Sequence, residues 1–249
     1  MPFADNRGVR IHYATMGNGP ALVLHHGTTG SGADWIDLGY ADALKADHQL
    51  IMLDSRGHGD SDKPHDSSAY ELSLRTSDVV AVLDDLGLQK VDYFGYSLGG
   101  WIGFGLARYA PTRVRSLIVG GSHPYAEDMR PFRDRFPQDR DAFAKLVDRL
   151  HGTGLKPARR ARLLANDIDA LRALTQDRES NADLLPSMTM PCLLFAGELD
   201  PRLEQVRQCA SELQNATFFS LPECDHIGAM AQSELITRHL TPFLSKVPA

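Results

Sequence analysis

Cysteine is scarce in this chain, with only Cys192, Cys209 and Cys224 among 249 residues. An odd number at wide spacing makes neither a disulfide framework nor a CxxC redox or zinc pair. No apolar run is long enough to cross a membrane. Met1 to Arg7 lacks the basic stretch and apolar run of a secretory signal, so a cytoplasmic protein is expected. Positive charge is not in excess, because 26 Lys and Arg stand against 32 Asp and Glu for a net charge of -6. That balance excludes a general affinity for nucleic acid or an anionic membrane and favours a small-molecule partner. Histidines do not pair with acids or cysteines at ligand spacing, so neither a metal nor another cofactor is expected.

What is present is an alternation of strand-like and helix-like stretches. Val9 to Thr15, Ala21 to Leu24 and Gln49 to Leu53 read as strands, and Leu72 to Leu86 has the apolar spacing of a helix packed on one face. Further strands are predicted at Val91 to Tyr96, Val114 to Val119, Met190 to Ala196 and Ala216 to Leu221. Short strand–helix connections imply a mainly parallel sheet with helices on both faces. Strand signals vanish between residues 123 and 186, where charged helical segments carry apolar stripes such as Phe143, Leu146, Val147 and Leu150. The expected organisation is therefore a core over 1–122, a helical insertion over 123–186 and the rest of the core over 187–249.

The most informative stretch is Val91-Asp92-Tyr93-Phe94-Gly95-Tyr96-Ser97-Leu98-Gly99-Gly100-Trp101, where a strand runs into a helix through a serine. Glycines two residues either side of Ser97 remove the Cβ atoms that a tight turn would drive together. A chain of this length matches Gly-x-Ser-x-Gly by accident about one time in ten. The strand and helix on either side therefore carry the argument. Ser97 as an ordinary helix cap is the alternative.

In an open parallel sheet, ligands bind beyond the carboxyl ends of the strands. Four such ends carry His26-Gly27-Thr28, Ser97, Asp200 in Gly197-Glu198-Leu199-Asp200, and His226 after Asp225. A serine nucleophile needs a base, the base needs an acid to orient it, and the oxyanion needs N–H donors. With the Asp54-Ser55-Arg56-Gly57-His58-Gly59-Asp60-Ser61 loop, these motifs resemble the α/β-hydrolase fold over nearly the whole chain. The resemblance implies an α/β architecture, a mostly parallel central sheet flanked by helices, with residues 123–186 as a helical lid. It further implies a triad of Ser97, Asp200 and His226, and backbone oxyanion donors at Leu98 and Thr28, with Thr29 as second choice.

Asp225 is the rival acid, disfavoured because adjacent residues rarely aim their side chains at each other. His26 is expected to brace its loop, and His25, His58 and His123 to be structural. The Asp54 to Ser61 loop lacks a nucleotide signature and is expected to tie neighbouring loops through Asp54 and Arg56. Tyr96, Trp35 and Tyr125 are candidate substrate-binding residues, with Trp101 and Phe132 as further pocket walls.

A serine at the elbow argues against relatives that use an aspartate there, such as haloalkane dehalogenases and epoxide hydrolases. The expectation is a serine hydrolase of a small to medium carboxylic ester or lactone. Carbon–carbon bond hydrolysis, perhydrolysis and ligand perception with little turnover are the alternatives on the same three residues.

Overall fold

The computed structural model describes residues 2–134, 136–152 and 154–248. Its strands are β1 (Phe3–Asn6), β2 (Val9–Met16), β3 (Ala21–His25), β4 (Gln49–Leu53), β5 (Val91–Tyr96), β6 (Val114–Gly120), β7 (Cys192–Gly197) and β8 (Ala216–Leu221). They form one sheet in the order β1-β2-β4-β3-β5-β6-β7-β8, antiparallel at β1–β2 and β2–β4 and parallel elsewhere. The helices are α1 (Asp34–Asp37), α2 (Tyr40–Leu44), α3 (Leu72–Asp85), α4 (Leu98–Tyr109), α5 (Arg130–Arg133), α6 (Arg140–His151), α7 (Pro157–Leu164), α8 (Ile168–Leu174), α9 (Leu203–Glu212), α10 (His226–Met230) and α11 (Ser233–Leu244).

Strand β1 was not predicted. Four residues are too few for a period, and Ala4 and Asn6 are buried only because β1 pairs with β2 and packs beside α3. The central strands are buried on both faces, which is why they read as continuous apolar runs. Successive residues alternate between two cores. Val23, Tyr93, Val119 and Leu194 join α3, α4 and α9, whereas Leu24, Phe94, Ile118 and Phe195 join α2 and α11. Cys192 and Cys209 lie in the first core and Cys224 is buried against the second, all as free thiols.

The segment between β6 and β7 contains α5 to α8 and a 3-10 turn at Ala182–Ser187. Asp139 and Asp167 start α6 and α8 by accepting the N–H groups of Ala142 and Ala170. Glu127 and Arg178 exchange backbone hydrogen bonds that clasp its two ends. Arg135 and Thr153 of this segment, and the chain ends Met1 and Ala249, lie outside the described residues.

Candidate active site

Strand β5 delivers Ser97 to the end of the sheet in a backbone conformation that L residues rarely adopt, with φ 53° and ψ -110°. Such strain persists only where the surroundings impose it. Here the Ser97 N–H donates to Gly120 O at 2.8 Å, the Gly99 N–H to His26 O at 3.1 Å and the Trp101 N–H to Ser97 O at 3.0 Å. A Cβ on Gly99 would stand 2.2 Å from His25 O, so only glycine lets α4 start this close to β3. Beneath the turn the Tyr93 hydroxyl donates to Gly99 O at 2.8 Å. Its single proton is thereby committed, so His25 Nδ1–H must donate to Tyr93 Oη and His25 Nε2 must accept from Ser55 Oγ. Burial and nearby His26 hold the His25 imidazole well below its ordinary pKa, consistent with that neutral tautomer.

Three side chains from three strand ends meet at the turn. His226 Nε2 lies 2.9 Å from Ser97 Oγ, and His226 Nδ1 lies 2.6 Å from Asp200 Oδ2. Asp200 is buried, and its other oxygen accepts the Arg202 N–H at 2.9 Å. Burial alone would raise its carboxyl, but the His226 hydrogen bond and charge and the Arg202 N–H outweigh that and hold it below the ordinary carboxylate range. Gly121, at φ 57°, makes room for this pair, since a Cβ there would meet His226 Cε1 at 2.9 Å. Asp225 is occupied otherwise, capping α10 by accepting the Gly228 N–H at 2.7 Å. The Tyr96 hydroxyl donates to the His226 carbonyl and so fixes the backbone that carries the imidazole.

The loop after β3 passes within van der Waals reach of the serine, because a Cβ on Gly27 would lie 3.2 Å from Ser97 Cβ. Gly30 N–H closes a turn onto Gly27 O at 3.1 Å, with Thr28 and Thr29 at its centre and Thr29 at φ 70°. Among the described residues, neither threonine N–H has a protein acceptor, and Leu98 N–H is free as the first donor of α4. His26 braces this loop, accepting the Ser55 N–H at Nε2 and donating from Nδ1 to Gly27 O.

His12, Asp54 and Asp60 bring potential ligand atoms within 4.8 Å of one another. Asp54 is already the hub of its loops, accepting from Gly32 N–H, Asp60 N–H and His12 Nδ1 at 2.7, 2.9 and 2.8 Å. Its lone pairs are directed at those donors.

A cavity of about 1240 Å³ opens over Ser97 and His226. Tyr96, Trp101 and Phe132 reach its wall, as do Met129, Leu150, Leu155 and Leu163 from the segment between β6 and β7. Trp35 does not reach it. It is fully buried in the core beside Tyr40 and Phe94, because α1 turns its first residues toward the sheet. Tyr125 does not reach it either, and packs instead against His123 and the core. Asn166, Arg75, Arg159 and Arg178, none of which the sequence singles out, are in or beside the cavity. Their burial depends on the 123–186 segment folding back over α3 and the β3 loop, which no local pattern reports.

The sequence profile described as the alpha/beta hydrolase fold matches residues 20–184. The chain belongs to the α/β-hydrolase fold family. It is 27% identical, over 95% of its length and 96% of the relative's, to a putative 2-succinyl-6-hydroxy-2,4-cyclohexadiene-1-carboxylate synthase of Bacillus subtilis. It is 28% identical to a putative carbamate hydrolase of Variovorax paradoxus, covering 96% and 97% of the two chains. Among solved structures, the enol-lactonase from Burkholderia xenovorans superposes with a TM-score of 0.86 at 20% identity, over 98% of this chain and 100% of that one. For this α/β-hydrolase, hydrolysis is the general activity that the family match supports. Among its described residues, no helix is long and apolar enough to cross a membrane.

Proposed function

We propose that this α/β-hydrolase cleaves a carboxylic ester or lactone of small to medium size through an acyl-enzyme on Ser97. The observation that carries the reading is the unbroken relay from Asp200 through His226 to Ser97 Oγ, facing a cavity large enough for such a substrate. Ser97 Oγ attacks the carbonyl while His226 Nε2 takes its proton, and Asp200 holds the imidazole and stabilises its protonated form. The N–H groups of Leu98 and of Thr28, with Thr29 as the alternative, stabilise the oxyanion. His226 then returns the proton to the leaving alcohol, and water repeats the sequence to release the acid. Residues 123–186 serve as a lid, supplying Met129, Phe132, Leu150, Leu155, Leu163 and Leu174 to the cavity wall.

Carbon–carbon bond chemistry on the same three side chains is the second reading. Its support is the Bacillus subtilis relative, whose name is that of a cyclohexadiene carboxylate synthase. Steady-state hydrolysis of p-nitrophenyl esters from acetate to decanoate, with wild type and Ser97→Ala in parallel, separates the two. Sustained turnover lost in Ser97→Ala is expected. A folded protein that turns over none of the series would shift the assignment to carbon–carbon substrates.

A further inference from the structure

One corner of the cavity is built from buried cations. Arg75 of α3 is 3% exposed and Arg178 is 9% exposed, yet both line the cavity. Arg75 Nε donates to Tyr70 O at 2.6 Å and Nη2 to Leu174 O at 2.7 Å. Among the described residues, no carboxylate lies within ion-pair distance of Arg75. The Trp101 ring lies close to both guanidinium groups, its centroid 5.6 Å from that of Arg75 and 5.1 Å from that of Arg178. Arg178 Nη1 pairs with Glu127 at 2.9 Å, but Glu127 is shared with Arg202, another cavity residue. Glu127 thus serves two guanidinium groups, and Arg75 has no ion-pair partner of its own among the described residues.

A buried charge without a partner is costly. Burial, and after it the neighbouring Arg178, weigh against the charge of Arg75. Nearby acids have partners of their own, since Asp78 pairs with Arg56, Asp177 with Arg133, Asp183 with Arg108 and Asp34 with Arg159, while Asp225 caps α10 and Glu71 and Glu179 are exposed. What satisfies such a corner is an anion arriving with the ligand. Trp101 is four residues beyond Ser97, a helical rise of about 6 Å, so the anion would lie a few bonds from the reacting carbonyl.

We infer that Arg75 and Arg178, both held against the Trp101 ring, form a carboxylate subsite, and that the substrate is an ester or lactone bearing a free carboxylate. The planar guanidinium fork suits a carboxylate, and Trp101 supplies an apolar face for the carbon chain between the carboxylate and the scissile bond. This rests on the ester or lactone reading for its turnover test, though not for its binding test.

Two measurements separate the ideas. The first compares kcat/KM for p-nitrophenyl monoesters of the C4 to C8 α,ω-dicarboxylic acids with that for p-nitrophenyl esters of neutral acids of the same length. The monoester with the free carboxylate is expected to be preferred about 10- to 100-fold at its best length. That preference should collapse in Arg75→Met and be partly restored in Arg75→Lys. The second is calorimetric titration of glutarate, adipate and inorganic phosphate into Ser97→Ala, alone and combined with Arg75→Met. Dicarboxylate binding that is lost with Arg75 supports the subsite even if no ester is turned over, in which case the hydrolase reading alone has failed. Ser97-dependent turnover with equal rates on charged and neutral esters, or tighter binding of phosphate than of either dicarboxylate, would overturn the carboxylate subsite and leave the hydrolase reading standing.

Discussion

Asp200 serves two neighbours with one carboxylate, orienting His226 through Oδ2 and tying its own turn through Oδ1 and the Arg202 N–H. An amide can keep the second contact but cannot stabilise a protonated imidazole, and it can present its NH₂ to Nδ1 and reverse the tautomer. Asp200→Asn should therefore lower kcat on an activated ester by about 10⁴-fold with the fold intact. Asp225→Asn keeps an Oδ1 acceptor for the Gly228 N–H and should cost less than about 1 kcal/mol of stability, with kcat changed less than ten-fold. Steady-state kinetics on both variants decides between the two acids, and a reversed pattern would exchange their roles. These two carboxylates are 25 residues apart in sequence, and their strand-end positions were legible there. Adjacency to His226 already speaks against Asp225 in the sequence, and the direction of each side chain becomes visible once β7 and β8 are paired side by side.

At the scale of elements, the link between α7 and α8 reaches across to the loop after β3. Asn166 is buried and donates from Nδ2 to Thr29 O at 2.8 Å and to Leu163 O at 2.9 Å. Arg159 pairs with Asp34 of α1 at 3.0 Å, and Arg162 pairs with Asp37. The segment that walls the cavity therefore also steadies the turn proposed to hold the oxyanion, whose Thr29 stands at positive φ. Asn166→Ala should lower kcat about ten-fold or more on a small neutral ester, while KM changes little, because a loosened donor costs transition-state stabilisation. A rise in KM with kcat unchanged would mean that Asn166 shapes the cavity and not the loop. Most elements here were readable from period and turn chemistry. The helices α3, α6 and α11 carry continuous apolar stripes, and the central strands carry buried runs. Strand β1 was not readable, because it depends on an antiparallel partner for its burial. Neither was the contact between Asn166 and Thr29, which joins residues 137 positions apart.

Across the whole molecule, the residues hardest to read were polar ones that the fold buries. Arg75 precedes Val79 by four residues and Val82 by seven, so helical spacing puts it on the packed face of α3, and only its charge speaks for a wet position. It is dry because the chain from 123 to 186 returns over it and Leu174 O accepts from it. Trp35 misled in the opposite sense, as an aromatic in a glycine-rich loop that α1 carries into the core. Buried histidines have a consequence for the entire fold. His25 and His58 are 1% and 0% exposed, and burial, with His26 and Arg75 nearby, holds both well below the ordinary imidazole pKa. In the unfolded chain both would take a proton near pH 6.5, so below that pH the unfolded state binds more protons than the native state. Stability is then present in full above about pH 7 and falls as the pH drops, with each such group contributing a slope of about 1.4 kcal/mol per pH unit. His123 and His151 are shifted down too and act in the same sense, whereas His65, drawn up by Asp167, opposes them from the surface. The free energy of urea unfolding should be nearly level from pH 8 to 7. Between pH 6 and 5 its decline should approach about 3 kcal/mol per unit for His25 and His58 together. Replacing His58 with glutamine should remove about half of that slope, whatever it does to the midpoint at pH 8. A profile level down to pH 5 would mean that the buried imidazoles take up protons within the native fold.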